Sequence, residues 1–365
     1  MRLLTPGPAS CLPSVLNALS TEMIHHRTPE FQSLYRDTVE GLKYIFETKD
    51  GEVAILAGSG TTGLEAGIIN AFQKQEQILI IECGYFGERL VNIAKVHELD
   101  VIRLTYDWKE TYRIEDVKQV MKTHPDLKGI LLVYSETSTG ALHDIQAIGE
   151  LTKDTDVLLL VDCISGLVMN PCKFDEWHLD IAVAASQKGF FLPPGLVFVC
   201  LSPKAMHRIK LHKPQSYYLN LPLMIEKYHD EQKIGATPSV ALLQGLRVAL
   251  EILQVQSMEQ WQEYYGGLHR RLLELLRRHG YQPYVNGAFS NALVVVELPK
   301  RNAFALRHHI YEQSGLLIEV GLGKESDAIL RIGCMNAITM FDVLDLERAL
   351  CSLSKQEQTQ EIVEK

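Results

Sequence analysis

The sequence predicts an α/β fold in which a mostly parallel sheet is covered by helices on both faces. Between about residues 52 and 200, short apolar runs alternate with segments of helical periodicity. Such runs are typical of strands that are buried on both faces. After about residue 240, long helical segments and one further strand-like run predict a smaller α+β domain. We expect an N-terminal segment (1–20), a large domain (21–245) and a small C-terminal domain (246–365).

The predicted strands of the large domain are apolar runs that end in glycine or in polar residues. They are 53–58, 77–84, 129–137, 157–165, 180–186 and 195–202, with helices at 62–72 and 86–99. In open parallel sheets, ligands bind outside the carboxyl ends of the strands. The polar residues that end these runs are therefore the candidates for a functional site.

Composition excludes several classes of function. The chain has 365 residues and a formal charge of −9, and it has no basic cluster that could follow a phosphate backbone. It also has no apolar stretch of membrane-spanning length and no positively charged opening before an apolar run. The seven cysteines show neither a CxxC pair nor zinc-like spacing. We expect a cytoplasmic protein with reduced thiols, without a metal site and without nucleic-acid or membrane partners.

The segment AGSGTTGLEA (57–66) has the pattern of an anion-binding turn between a strand and a helix. Glycines allow close approach to a ligand, and the amino end of a helix presents unpaired N–H groups. Ser59, Gly60 and Thr61 would then hold one phosphate, although the turn lacks the lysine of a nucleotide-binding loop. An ordinary turn between a strand and a helix, with a serine or threonine as helix cap, explains the same sequence about equally well.

Two charged residues follow buried runs at strand ends. Asp162 ends VLLLVD, where a carboxylate could hold the protonated nitrogen of a pyridine ring or could simply cap the next helix. Lys188 lies in AASQKGFFLPPG, where loss of hydration could make it a nucleophile, although most lysines are solvated surface residues.

Two further candidates are Phe86 and Arg331. Phe86, in CGYFGERL, could stack on a planar ring, or it could face the core. Arg331, in ILRIGCMN, could bind a carboxylate through two parallel hydrogen bonds, or it could form a structural ion pair.

The order of these motifs resembles the class V aminotransferases of pyridoxal-phosphate (PLP) fold type I, and within them the alanine–glyoxylate/serine–pyruvate family. The segments that carry the resemblance are LLTPGPASCLPSVL, HRTPEF, GSGTTGLEA, YSETSTGAL, VDCISGL, SQKGFFLPPG and LRIGCMNA. The resemblance implies a seven-stranded type of sheet, PLP as cofactor, and a homodimer with active sites at the subunit interface.

The resemblance also implies a role for individual residues. Lys188 matches the lysine that forms a Schiff base with PLP, and Asp162 matches the partner of the pyridine nitrogen. Arg331 matches the arginine that binds the substrate carboxylate, and Gly7 belongs to the family opening beside the substrate. The implied cofactor-binding residues are Ser59, Gly60, Thr61, Phe86, Thr137, Asp162, Gln187, Lys188 and, from the neighbouring subunit, Thr237. Some relatives carry a tyrosine where this chain has Ile234, and many carry a tryptophan in place of Phe86.

The implied reaction is transamination of alanine or serine with glyoxylate or pyruvate. We expect a neutral donor because the candidate residues at the strand ends include no second arginine. A negative charge at the far end of an acidic donor would therefore lack a partner. Arg27, between the histidines of HHRTP and the helix that follows, is the one other candidate, and we favour a structural role for it. The alternatives are a 2-aminoethylphosphonate–pyruvate aminotransferase, a cysteine desulfurase, or a non-catalytic protein that kept the fold.

Overall fold

The strands form one large sheet, one smaller sheet and two short pairs. The computed structural model describes residues 1–231, 234–335 and 337–363. The strands in chain order are β1 (Arg2–Leu3), β2 (Glu52–Gly58), β3 (Gln77–Glu82), β4 (Asp100–Thr105), β5 (Gly129–Val133), β6 (Ser135–Glu136), β7 (Ala141–Leu142), β8 (Leu158–Asp162), β9 (Ile181–Ala185), β10 (Gly195–Leu201), β11 (Gln282–Pro283), β12 (Leu293–Glu297), β13 (Leu316–Leu317), β14 (Glu319–Val320) and β15 (Ile329–Gly333).

The helices cover both faces of the large sheet and one side of the smaller sheet. In chain order they are α1 (Pro13–Leu19), α2 (Pro29–Phe46), α3 (Gly60–Ala71), α4 (Tyr85–Val96), α5 (Ile114–Thr123), α6 (Ile145–Thr152), α7 (Pro203–Leu211), α8 (Leu221–Glu231), α9 (Val240–Leu253), α10 (Met258–Arg278), α11 (Ala303–Ser314) and α12 (Met340–Val363). Among the described residues, no helix is both long enough and apolar enough to cross a membrane.

The large sheet has seven strands in the order β2-β10-β9-β8-β5-β3-β4. The neighbours from β9 to β4 pair in parallel, and β10 runs antiparallel to both β2 and β9. The prediction of a mostly parallel, seven-stranded sheet is confirmed. Strand β4 was not predicted, because at this edge of the sheet its side chains are partly or fully exposed and the apolar pattern is weak.

Both faces of the large sheet are buried, as the apolar runs predict. In β8, Leu159 and Val161 belong to the core on one face, and Leu158 and Leu160 belong to the core on the other. Side chains alternate across a strand, so a strand covered on both sides needs apolar residues at every position. The first polar side chain of this run, Asp162, is therefore the last residue of the strand.

The smaller sheet forms a third core with the helices that follow it. Its strands pair antiparallel in the order β11-β12-β15-β14, and the N-terminal strand β1 pairs with β13. Leu4, just after β1, packs in this core. The predicted division after residue 245 stays a prediction, and it falls within α9. The long helical segments predicted after residue 240 correspond to α9 and α10, of which α10 starts at Met258.

Candidate active site

A cavity of about 270 Å³ lies at the edge of the large sheet where β2, β5 and β8 end. Parallel strands bring their carboxyl ends to one edge, so residues far apart in the chain meet there. The predicted site residues that line this cavity are Gly7, Ser59, Gly60, Thr61, Phe86, Thr137, Asp162, Gln187 and Lys188. Arg331 and Thr237 are not part of its wall.

One end of the cavity is suited to an anion. Helix α3 begins after Ser59, and its first-turn residues Gly60 and Thr61 line the cavity. The free amides of a helix start and the helix dipole both favour negative charge. The side-chain Oε1 of Gln187 is buried and has no hydrogen-bond partner within the described part of the chain. A buried amide requires a partner. With its O and N positions exchanged, the side-chain NH₂ group of Gln187 would donate to an anion at this end of the cavity.

The carboxylate of Asp162 closes another side of the cavity and is 4% exposed. Its Oδ1 accepts a hydrogen bond of 2.9 Å from the backbone N–H of Ile164. Burial raises the pKa of Asp162 to about 7, and the nearby carboxylate of Glu136 acts in the same direction. A cationic partner in the cavity would favour the ionised form.

Lys188 is 9% exposed, and its Nζ donates a 2.5 Å hydrogen bond to the carbonyl of Pro6. Burial lowers the pKa of Lys188 to about 8, and the nearby guanidinium of Arg331 adds to this effect. Gly7 has a φ of +117°, and a Cβ at this position would lie 2.4 Å from Lys188 Nζ. The N-terminal segment therefore packs directly on this amine, and only glycine leaves room for it.

An arginine that the sequence analysis missed lies on the same wall as Phe86. Arg89 lines the cavity, and its guanidinium carbon is 4.7 Å from the centre of the Phe86 ring. The expectation that the cluster offers no second arginine is wrong. Residues three apart share one face of a helix, so helical spacing from Phe86 would have found Arg89.

Arg331 lies behind the cavity, beside the turn that carries Thr137. It is 6% exposed, and its Nε and Nη1 donate to the carbonyls of Val320 (2.7 Å) and Thr137 (3.1 Å). Burial lowers the pKa of Arg331. The Thr137 hydroxyl is 2.8 Å from the hydroxyl of Ser165, a second cavity residue that the sequence analysis missed.

Two predicted residues lie outside the cavity. Thr237 is exposed in the loop before α9. Arg27 is exposed just before α2, whose first turn is capped by Thr28 through a 3.3 Å hydrogen bond from the N–H of Phe31. The structural role that we favoured for Arg27 stays a prediction.

A family model for aminotransferase class-V matches residues 12–336. The chain belongs to the class-V aminotransferases. This aminotransferase is 39% identical over 259 residues to an uncharacterised aminotransferase of Methanocaldococcus jannaschii, covering 70% of this chain and 67% of the relative.

Two solved structures show the same fold over nearly the whole chain. An alanine–glyoxylate aminotransferase from Nostoc sp. has a TM-score of 0.91 at 29% identity, covering 95% of this chain and 93% of its own. An aspartate aminotransferase of subgroup IV from Thermus thermophilus has a TM-score of 0.89 at 32% identity, covering 96% and 99%. The predicted family, the PLP type I fold and the enzyme class are confirmed.

We predict that Lys188 of this aminotransferase reacts as a neutral amine with a midpoint near pH 8. In protein freed of any coenzyme, its rate of reaction with a small aldehyde should rise through this pH, because only the unprotonated amine is nucleophilic. Peptide mapping after reduction would follow the modification of Lys188 as a function of pH.

Substitution Arg331→Met should raise this midpoint, because it removes a cation that disfavours the protonated amine. The matched control is Arg270→Met, an exposed arginine on α10. A midpoint near the ordinary lysine value of 10.5, or equal shifts in both variants, would contradict the assigned electrostatics.

Proposed function

We propose that this aminotransferase uses PLP to transfer the amino group of a small amino acid, alanine or serine, to glyoxylate or pyruvate. The observation that carries the proposal is the single cavity in which an anion-binding helix start, an aromatic ring, a buried carboxylate and a buried amine meet. These four groups correspond to the phosphate, the ring face, the ring nitrogen and the aldehyde of PLP.

The phosphate end is supported by the start of α3 and by Gln187. Ser59, Gly60 and Thr61 present backbone and hydroxyl donors to one anion, and Gln187, which lines the same cavity, can add its side-chain NH₂ group as a donor. Phe86 supplies a flat apolar surface for the ring. The Thr137 hydroxyl is available to a ring oxygen.

Asp162 and Lys188 have the properties that the reaction requires. Bound PLP supplies the electron sink, which Asp162 supports by keeping the ring nitrogen protonated. Once free, the Nζ of Lys188 takes the α-proton of the substrate as general base and delivers it as general acid to the C4′ carbon of the coenzyme. A pKa near 8 suits both tasks.

Arg331 is the group that we propose for the substrate α-carboxylate. A guanidinium has five N–H donors, and two of its nitrogens already donate to backbone carbonyls that fix its plane. The remaining donors can bind a carboxylate through two hydrogen bonds. The guanidinium of Arg331 also contributes to the lowered pKa of Lys188, which supports a substrate carboxylate bound near this amine.

A second candidate is an acidic donor such as aspartate. Arg89 favours it, because this guanidinium lines the cavity and forms no ion pair among the described residues. The similarity to the Thermus thermophilus aspartate aminotransferase supports the same candidate. 2-Aminoethylphosphonate, which also carries a distal anion, is the alternative donor that Arg89 would favour for the same reason.

We propose in addition a homodimer in which Thr237 of each subunit completes the phosphate site of the other. The support is that Thr237 is exposed and lies outside the cavity of its own chain. Symmetric pairs are also the commonest form of oligomer.

The first test concerns the coenzyme. We predict that borohydride reduction of the purified, yellow protein places the label on Lys188, and that Lys188→Ala binds PLP without turnover. Asp162→Asn should fold but should lose about ten- to a hundredfold in rate, because a charge-assisted hydrogen bond is removed. A label on another lysine, or unchanged turnover in Asp162→Asn, would refute the assignment.

The second test concerns the amino donor. We expect kcat/KM with glyoxylate to be higher for alanine or serine than for aspartate or 2-aminoethylphosphonate. A wide margin for an acidic donor would overturn the neutral-donor proposal. Arg89→Met and Arg27→Ala then identify the cation, since loss of the responsible one should lower the rate for the acidic donor about ten- to a hundredfold and leave alanine nearly unchanged.

The third test concerns the partner subunit. Thr237→Val should weaken PLP binding, and Lys188→Ala should abolish turnover. In a mixed dimer of these two variants, one site combines the intact Lys188 of one subunit with the intact Thr237 of the other. Mixing should therefore restore activity with tight PLP binding. No recovery on mixing, or a fully active monomer in sedimentation, would contradict the proposed dimer.

A further inference from the structure

Glu136 is a carboxylate with no exposed surface, and it lies in strand β6 beside the cavity residue Thr137. None of the roles assigned above uses it. Burying a carboxylate is costly unless hydrogen bonds replace its water, so the partners of Glu136 indicate what it does.

Those partners are the start of α4 and the neighbouring Ser138. Glu136 Oε2 accepts from the backbone N–H groups of Phe86 and Gly87, each at 3.2 Å. Its Oε1 accepts from the N–H of Ser138 at 3.0 Å and from the Ser138 hydroxyl at 2.5 Å. The Ser138 hydroxyl in turn accepts from the N–H of Tyr85 at 3.0 Å. Glu136 at the end of β6 and Ser138 in the turn that follows therefore satisfy the first three amides of α4.

This arrangement replaces the usual cap of a helix. The residue before α4 is Gly84, which has no side chain to accept these N–H groups. A Cβ on Gly84 would lie 2.5 Å from Cγ and from Cδ of Glu136, so the missing side chain leaves the space that the carboxylate fills. Helix α4 is thus capped by the side chain of Glu136, which belongs to strand β6 and not to the residues just before the helix.

The capped residue is the one whose ring faces the cavity. Phe86 lines the cavity, and its backbone N–H is bound by Glu136. We propose that Glu136 is a positioning residue, which fixes the start of α4 and thereby holds the Phe86 ring at the cavity wall, where the coenzyme would bind. The inference rests on the proposed function, since it assumes that the coenzyme is stacked on Phe86.

The ionised carboxylate is the form that suits these partners. Both oxygens of Glu136 face N–H donors, whereas an amide has only one oxygen and carries donors of its own. In Glu136→Gln, an NH₂ group replaces one of the two oxygens. Whichever oxygen it replaces, this group faces a backbone N–H, and two donors cannot form a hydrogen bond with each other. The amino end of α4 also favours a negative charge.

The first readout needs no coenzyme. In coenzyme-free protein, Glu136→Gln should increase hydrogen exchange in the peptide that contains the start of α4, Tyr85 to Gly87. The matched control is Asp180→Asn, which removes another buried carboxylate that accepts from the N–H of Leu159 at 2.9 Å. The control should leave exchange at α4 unchanged.

The second readout is the dissociation constant of PLP together with the circular dichroism of its bound visible band. Glu136→Gln should weaken PLP binding by about tenfold or more, whereas Asp180→Asn should leave it nearly unchanged. If Glu136 acts through the ring, the effects of Glu136→Gln and Phe86→Leu should not add, and the double variant should bind PLP about as well as Phe86→Leu alone.

Unchanged exchange and PLP affinity in Glu136→Gln, or additive losses in the double variant, would overturn the inference. If Glu136→Gln does not fold, Ser138→Ala removes the hydroxyl bonds to Tyr85 and Glu136 and should shift both readouts less, in the same direction. Failure of the unmodified protein to bind PLP would overturn the proposed function and this inference with it. Normal binding that is insensitive to Glu136 would overturn the inference alone.

Discussion

The active site depends on two oppositely charged groups, Lys188 and Asp162, that are buried at the same edge of a parallel sheet. Burial lowers the pKa of Lys188 to about 8 and raises that of Asp162 to about 7, so each charged form is less stable than in water. The extensive cores on both faces of the sheet stabilise the fold in spite of this cost. A ligand with a basic ring nitrogen and an aldehyde would give both groups a partner.

The rest of the chain holds these two groups and closes the cavity around them. The N-terminal segment places the Pro6 carbonyl and Gly7 against the amine. The smaller sheet places Arg331 behind the Thr137 turn, where its charge also acts on Lys188. Elements from three parts of the chain thus depend on one another at this site, although each belongs to a separate core or segment.

The sequence predicted what apolar pattern and motif order can predict. The buried strands and the polar residues after them were recognised because every position of such a strand must be apolar. Arg89 and Glu136 were missed for different reasons. Arg89 lies on a helix, away from the strand ends that were inspected. Glu136 was assigned to one long strand, whereas the chain turns after Val133 to bring this carboxylate to α4. Thr237 is exposed on its own chain, so its contact with the phosphate site of a partner stays a prediction.

The most direct test of the central claim is the pH dependence of pyridoxamine phosphate binding, which probes Asp162 without a bond to Lys188. The ratio of dissociation constants between Asp162→Asn and the unmodified protein cancels the titration of ligand groups that both proteins bind alike, such as the phosphate. We predict a ratio of about ten to a hundred above pH 7 that falls towards one as the pH decreases below the pKa of Asp162, about 7. A ratio near one at high pH, or one that does not change with pH, would contradict the account.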